Sequence, residues 1–351
     1  MTLTRFISSS ARKLDPGAFA LVMATGIVSI DASQHGMPTV ALVLLVVNAA
    51  AFVLLLGLTA LRLLRARQEV LNDFANPARG AGFLTFVAAS CVLASQCLLV
   101  VSRPGWAIAL TVLGAVGWLV LLYLLLLAVI TGQRKPGFRR SINGGWLVAV
   151  VSTQALSALV TLVAASRADP DRLQFVALSL YMLGAALYLL IITLVVYRMV
   201  FFPLRAREFT PPYWIDMGAL AVTTLAGSLI VIHAPAHGVL TELLPFVKGF
   251  TLFFWATATW WIPLLVILEV WRHVWRHVPL RYETDDWDIV FPIGMYTVGT
   301  YELAQALHAD FLRAIPAVGI YVSLAVWLLV ALIGLRKLYR KGWRHGVHPP
   351  R

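Results

Sequence analysis

Residues 105–131 read GWAIALTVLGAVGWLVLLYLLLLAVIT, a stretch without one charged side chain. A helix of this length rises about 40 Å, and about 20 apolar residues suffice to cross a bilayer. Working outward, nine more such stretches lie at approximately 16–35, 38–61, 80–101, 144–166, 172–200, 213–233, 245–271, 287–308 and 315–335. The composition agrees: 60% of the chain is apolar, 13% is charged, and the mean hydropathy is +0.84. Soluble domains carry about 45–50% apolar and about 25% charged residues. A water-soluble fold would therefore expose large apolar patches, and disorder is excluded by the same values. The expectation is an all-α integral membrane protein with ten transmembrane helices.

The net charge of +12 would point to nucleic acid on a soluble protein. Here the first question is topology. With the N-terminus inside, 23 of the 28 Lys and Arg residues fall in the inner segments. Only Arg103, Arg167, Arg172, Lys248 and Arg313 fall on the other side. Ten spans with both termini cytoplasmic thus satisfy the positive-inside rule in every loop. The N-terminus reads as a cytoplasmic leader, with no cleavable signal peptide, on a protein of the cell (inner) membrane. The organisation expected is a cytoplasmic segment 1–14, one transmembrane domain 15–336 and a basic cytoplasmic tail 337–351. No nucleic-acid partner, cofactor or metal is called for, and the chain has no enzyme signature. Cys91 and Cys97 read as buried structural thiols.

Odd spans begin near 16, 80, 144, 213 and 287, so the unit repeats. Five helical hairpins result, at approximately 16–61, 80–131, 144–200, 213–271 and 287–335. The even helices are rich in Leu, Val and Ala, whereas the odd ones carry small and hydroxyl residues. Small residues allow close packing of helices in lipid. Their alternation over five hairpins also fits five inner, odd helices around a central pore, with the even helices outside. The expected lining is Thr25, Gly26, Ser29, Ser90, Ser95, Gln96, Thr153, Gln154, Ser157, Thr224, Ser228, Gly294 and Thr297. Hydroxyl and amide donors without a trapping charge suit a small anionic substrate.

Within the spans, Glu302 is a candidate for structural hydrogen bonding, for proton coupling or for tuning a vestibule. Asp216 and Asp288 read as N-caps, and Glu269 as the partner of Arg272 and Arg276. His35, His233, His237 and His308 fall at outer ends of odd spans. They are either scattered interfacial residues or an outer-mouth pH sensor.

Several motifs resemble one family. Asp15-Pro16-Gly17-Ala18-Phe19-Ala20 with Met23-Ala24-Thr25-Gly26-Ile27-Val28-Ser29 is similar to the first helix of the tellurite-resistance/C4-dicarboxylate transporter family. That family includes slow-type anion channels, fungal malate permeases and sulfite efflux pumps. Phe74-Ala75-Asn76-Pro77-Ala78-Arg79, Pro211 to Gly218, Trp255 to Pro263 and Trp287 to Tyr296 resemble its later elements in order. The resemblance covers about 15–335. It implies five hairpins around a quasi-five-fold pore and a homotrimer with one pore per protomer. It also implies a plugging phenylalanine in the ninth helix, which is Phe291 here; the alternative is a packed core ring. The function implied is passage of C4-dicarboxylates, sulfite or other oxyanions, chloride or nitrate through a gated pore. The alternative is a proton-coupled dicarboxylate symporter using Glu302.

Overall fold

The computed structural model describes residues 14–133, 135–235, 239–279 and 282–347. Among these residues the chain is all-helical, with no β-strand. The long helices are α1 Ala20–Gln34, α2 Pro38–Arg65, α3 Thr85–Leu99, α4 Pro104–Thr131 and α5 Val148–Ala164. They continue as α6 Asp171–Phe201, α7 Ile215–Ile232, α8 Val239–Val270, α9 Trp287–Ala306 and α10 Ala314–Val347.

Eight helical segments are long and apolar enough to cross a membrane. The stretches drawn at 16–35 and 287–308 fall short of that standard for physical reasons. Residues 16–19 form turns, which leaves α1 with 15 residues. In α9, Asp288 and Glu302 lower the hydropathy, together with Pro292, Gly294 and Gly299. Other boundaries also differ. α8 starts before 245 and runs on through a π-helical turn at Trp271–Trp275. α10 continues well beyond 335 into the basic tail. The segment after α2 folds into a further helix, Arg67–Ala75. It is tied down by Arg62 and Arg79 on Asp73, and Arg79 also reaches Asp15 at 3.1 Å.

Odd and even helices separate by burial. In the segments holding α5 and α7, 94% and 83% of the most apolar window is buried; in those of α2, α4 and α10 the figures are 28%, 17% and 22%. The odd helices are therefore inside and the even ones display Leu, Val and Ile outward. α1, α3, α5, α7 and α9 touch in chain order, and α9 touches α1, so the five close a circuit. Each even helix packs on its own odd neighbour and on the next odd helix in that circuit.

Turns at both ends shape this arrangement. Short 3-10 segments at Gly80–Leu84, Gly144–Leu147, Pro211–Trp214 and Thr284–Asp286 lead into α3, α5, α7 and α9. Neighbouring leads press together, and a side chain on Gly144 would collide with the Pro212 carbonyl. These leads displace the expected N-caps. Asp216 and Asp288 both lie in the first helical turn, and no side chain caps α7 or α9. At the opposite end, Gly36, Ser102 and His308 adopt positive φ values of 72°, 51° and 53° in the turns after α1, α3 and α9.

One set of hydrogen bonds recurs around the bundle. Each even helix sends a donor to the next odd helix. Asn48 Nδ2 of α2 donates to Gln96 Oε1 of α3 at 2.6 Å. Trp118 Nε1 of α4 donates to Thr153 Oγ1 of α5 at 2.8 Å. Tyr188 of α6 donates to the Asp216 carbonyl of α7 at 3.3 Å. Trp255 Nε1 of α8 donates to Thr300 Oγ1 of α9 at 3.0 Å, and Trp327 Nε1 of α10 to Thr25 Oγ1 of α1 at 3.0 Å. Between helices in an apolar medium such bonds contribute about 0.6 kcal/mol on average and up to about 2 kcal/mol.

Trp327→Phe keeps an aromatic ring, smaller than the indole, and removes the donor. We expect it to lower the melting temperature in detergent by a few degrees, by fluorescence or scattering. Trp106→Phe, at a position 71% exposed, should leave melting unchanged. Equal effects would contradict the role given to these donors.

Candidate functional site

Five helices in a closed circuit must either fill their axis or leave a cavity along it. Here a narrow cavity of about 40 Å³ is lined by residues of all five odd helices. That is room for a few water molecules. The lining recurs at i, i+3, i+7, one face of a helix. Ile27, Ile30 and Gln34 come from α1, and Ala155, Ala158 and Leu162 from α5. Val222, Leu225 and Leu229 come from α7, and Met295, Val298 and Glu302 from α9. α3 adds Cys91, Val92, Ser95 and Leu99. In this order the residues form three layers, the last of which carries Gln34 and Glu302.

One turn earlier on the same faces stand Met23, Ala88, Val151, Gly218 and Phe291. All five are buried, and Phe291 is 1% exposed. Phe291 has the largest side chain in this layer, which directly precedes the cavity's first layer. Gly218 gives room to the next residue, Pro292: a Cβ there would lie 2.8 Å from its Cγ. Phe291 thus sits in the second turn of α9, toward the basic-loop end and not at the middle of the bundle.

The structure places most of the expected lining elsewhere. Of those thirteen residues only Ser95 faces the cavity. Thr25, Gln96 and Thr153 accept the donors described above. Ser29 donates to the Ala41 carbonyl of α2 at 2.7 Å. Gln154 and Ser157 donate to the Tyr181 and Ala177 carbonyls of α6 at 3.0 and 2.7 Å. Thr297 meets Ser323 of α10 at 3.4 Å. Ser90 and Thr224 return their hydroxyls to their own helices, at Phe86 and Leu220. Gly26 lies against Val92, Asn48 and Gln96, and Gly294 against Ile27 and Val28. Ser228 is buried, and its Oγ has no hydrogen-bond partner among the described residues. A hydroxyl on a helix in lipid gains more from a neighbouring helix than from a dry lumen, so the polar face turns outward onto the even helices. What sequence reasoning missed is the apolar face, whose signal is the i, i+3, i+7 row of Ile, Ala, Leu and Val.

At the far end, Gln34 Nε2 donates to Glu302 Oε1 at 2.6 Å. His35 Nδ1 lies 3.1 Å from Asp31, and its ring meets Tyr301 edge-on. His308 is held in the left-handed turn after α9. His233 accepts on its carbonyl from Gln174 of α6. His237 lies outside the described residues. Glu269 accepts from Trp214 at 3.0 Å and lies 3.9 Å from Arg272. Both cysteines are free, and Cys91 is buried.

A family model described as a voltage-dependent anion channel (SLAC1) matches residues 13–335. The chain belongs to that family. This is the group to which the sequence motifs pointed, and it makes the protein a multi-pass membrane protein of anion transport. Two uncharacterized transporters of Methanocaldococcus jannaschii are 23% and 21% identical. The first match covers 91% of each chain; the second covers 95% of this chain and 97% of the relative. An uncharacterized membrane protein of Mycobacterium tuberculosis is 44% identical over 153 residues, 43% of this chain and 77% of the relative.

The leads on the basic-loop side carry a carboxylate cluster. Burial pushes Asp285 up to about 6, with Asp15, Glu283 and Asp286 adding repulsion and Arg79 opposing it. A folded-state value above the ordinary 3.8 means that the folded protein holds this proton longer. The stability gained is present below about pH 4 and is lost as pH rises through about 6. Asp285→Asn should therefore flatten the fall in melting temperature between these limits. An unchanged pH profile would contradict this.

Proposed function

We propose that the protein is a gated anion channel whose path is the axis of the five odd helices. The observation that carries this is the cavity lined by all five of them and ended by the layer of Phe291. Ten helices, including the short α1 and the polar α9, cross the membrane as five hairpins in one domain, 15–336. The basic loops and both termini lie on the cytoplasmic side of the inner membrane. Three copies assemble, each with its own path.

The physics favours anions. The odd helices all run in the same direction, so five helix N-termini gather at the basic-loop end. Each helix N-terminus carries roughly half a positive charge. The cavity wall carries no Lys or Arg, so an anion meets attraction at the mouth and no trap inside. An apolar passage closed by an aromatic ring excludes hydrated ions until the ring turns aside. Pro292 lacks an amide hydrogen, which frees a carbonyl one turn earlier in α9 and loosens the helix beside the ring. Selectivity then follows dehydration cost and diameter. Small oxyanions such as sulfite and nitrate, chloride, and C4-dicarboxylates in extended form are the candidate substrates.

The alternative, a proton-coupled symporter, has one observation in its favour: Glu302 lies on the cavity wall. A carboxylate there repels anions when charged. Its bond to Gln34 gives it a structural role that a channel also needs.

Two variants test the proposal in liposomes. Phe291→Ala should raise anion flux by about tenfold, equivalent to roughly 1.4 kcal/mol off the barrier. Unchanged flux from a folded variant would make Phe291 a core residue. Glu302→Gln should preserve or raise flux down an anion gradient. If flux is instead abolished along with uptake driven by a pH gradient, the symporter holds.

A further inference from the structure

On the basic-loop face, away from the axis, a pocket of about 430 Å³ opens beside the C-terminal end of α6. It shares no residue with the axial cavity. Arg139, Arg140, Arg198 and Arg205 line it, with Glu208 as the one carboxylate.

Arg198 is built into the wall. It stands in the last turn of α6 and is 5% exposed. Its Nε donates to the Arg139 carbonyl at 3.0 Å, and its Nη2 to Glu208 Oε2 at 3.3 Å. Its guanidinium lies 5.9 Å from the centre of the Tyr213 ring. Its Nη1 has no hydrogen-bond partner among the described residues, nor has the Tyr213 hydroxyl. Glu208 divides itself between two cations, because its other oxygen accepts from Arg139 Nη2 at 2.7 Å. Burial opposes ionisation of Glu208, yet bonds from Arg139 and the Arg205 amide, with the charges of Arg139 and Arg198, hold its carboxyl below the usual range. Arg140 and Arg205 are exposed and make no ion pair among the described residues. One anionic group against four cations leaves a surplus that a multivalent oxyanion would neutralise. Planar guanidinium forks suit phosphate oxygens in particular.

The depth of the pocket also bears on its occupant. Phe138, Tyr197, Phe201 and Phe202 form a contiguous aromatic cluster beside it, with ring centres 4.9–5.9 Å apart. Tyr197 and Phe201 face outward from α6. Aromatic side chains of this kind mark the headgroup level of a bilayer, and basic pockets between helices at that level accept acidic headgroups.

We propose that this pocket binds a phosphate-bearing anion, either the headgroup phosphate of an acidic phospholipid or a free phosphate. Arg140 and Arg205 clamp it from the open side, and Arg198 and Tyr213 form the wall behind it. The site rests on the membrane placement proposed above and not on the conduction path.

The test uses the full chain, delipidated in detergent and titrated with phosphatidylglycerol, phosphatidylcholine or inorganic phosphate. Bound lipid is counted by native mass spectrometry and melting is followed in parallel. Phosphatidylglycerol or phosphate should raise the melting temperature by a few degrees, and phosphatidylcholine should not. The double variant Arg140→Gln/Arg205→Gln removes only exposed side chains and should weaken binding about tenfold. Arg198→Gln should do the same where it folds. A shift with phosphatidylglycerol alone assigns the lipid source, and a shift with phosphate alone assigns a free solute. No shift with either, or full binding by the double variant, would overturn the proposal. Phe291→Ala serves as control: it should bind as wild type does whatever its flux, so the site and the channel fail independently.

Discussion

Everything else in the bundle depends on the donors that each even helix gives to the odd helix of the next hairpin. Asn48, Trp118, Tyr188, Trp255 and Trp327 make five contacts of one kind. The last returns from α10 to α1 and joins the end of the bundle to its beginning. In lipid there is no hydrophobic force to press helices together, so packing and such bonds must do it. Satisfying these donors turns the hydroxyl and amide side chains of the odd helices outward. The opposite faces, of Ile, Ala, Leu and Val, are left to meet on the axis. An apolar lumen is thus a consequence of how the hairpins are joined.

Much of this was legible in the amino-acid order. Residues 105–131 and 38–61 cannot be anything but long apolar helices, and the period of the basic loops divides the chain into hairpins. The assignment of odd helices to the inside follows from their small residues and agrees with the burial of α5 and α7. What could not be read is the direction in which a polar side chain points around its helix. Ser29, Gln154 and Ser157 are compatible with a wet lumen or with a neighbouring helix, and composition is the same for both. A clue lay in the even helices. Asn48, Trp118, Tyr188, Trp255 and Trp327 recur at nearly the repeat period, each a donor that an apolar helix would not carry without a partner. The 3-10 leads were also hidden, because Asp216 and Asp288 look like caps until the turns ahead of them are seen.

The lumen and its surroundings divide the electrostatic work. Among the residues lining the cavity the single carboxylate is Glu302, at the end far from the basic loops. At the other end, helix N-termini and arginines supply positive potential, while Asp15 and Asp73 pair with Arg79. Phe291 lies between these regions, on the same face of α9 as Met295 and Val298. On the proposed path, a ring at that level meets the anion after attraction has brought it in and before the apolar stretch begins.

Cysteine accessibility tests the central claim most directly, that the anion passes along the apolar faces and not the hydroxyl faces. In a Cys91→Ala/Cys97→Ala background, single cysteines at Ala158, Leu225 and Val298 should react in liposomes with a small sulfonate thiol reagent. Their modification should block anion flux. Cysteines at Ser29, Ser157 and Thr297 should stay unmodified, with flux unchanged. The reverse pattern, with the hydroxyl positions reactive and blocking, would contradict the account.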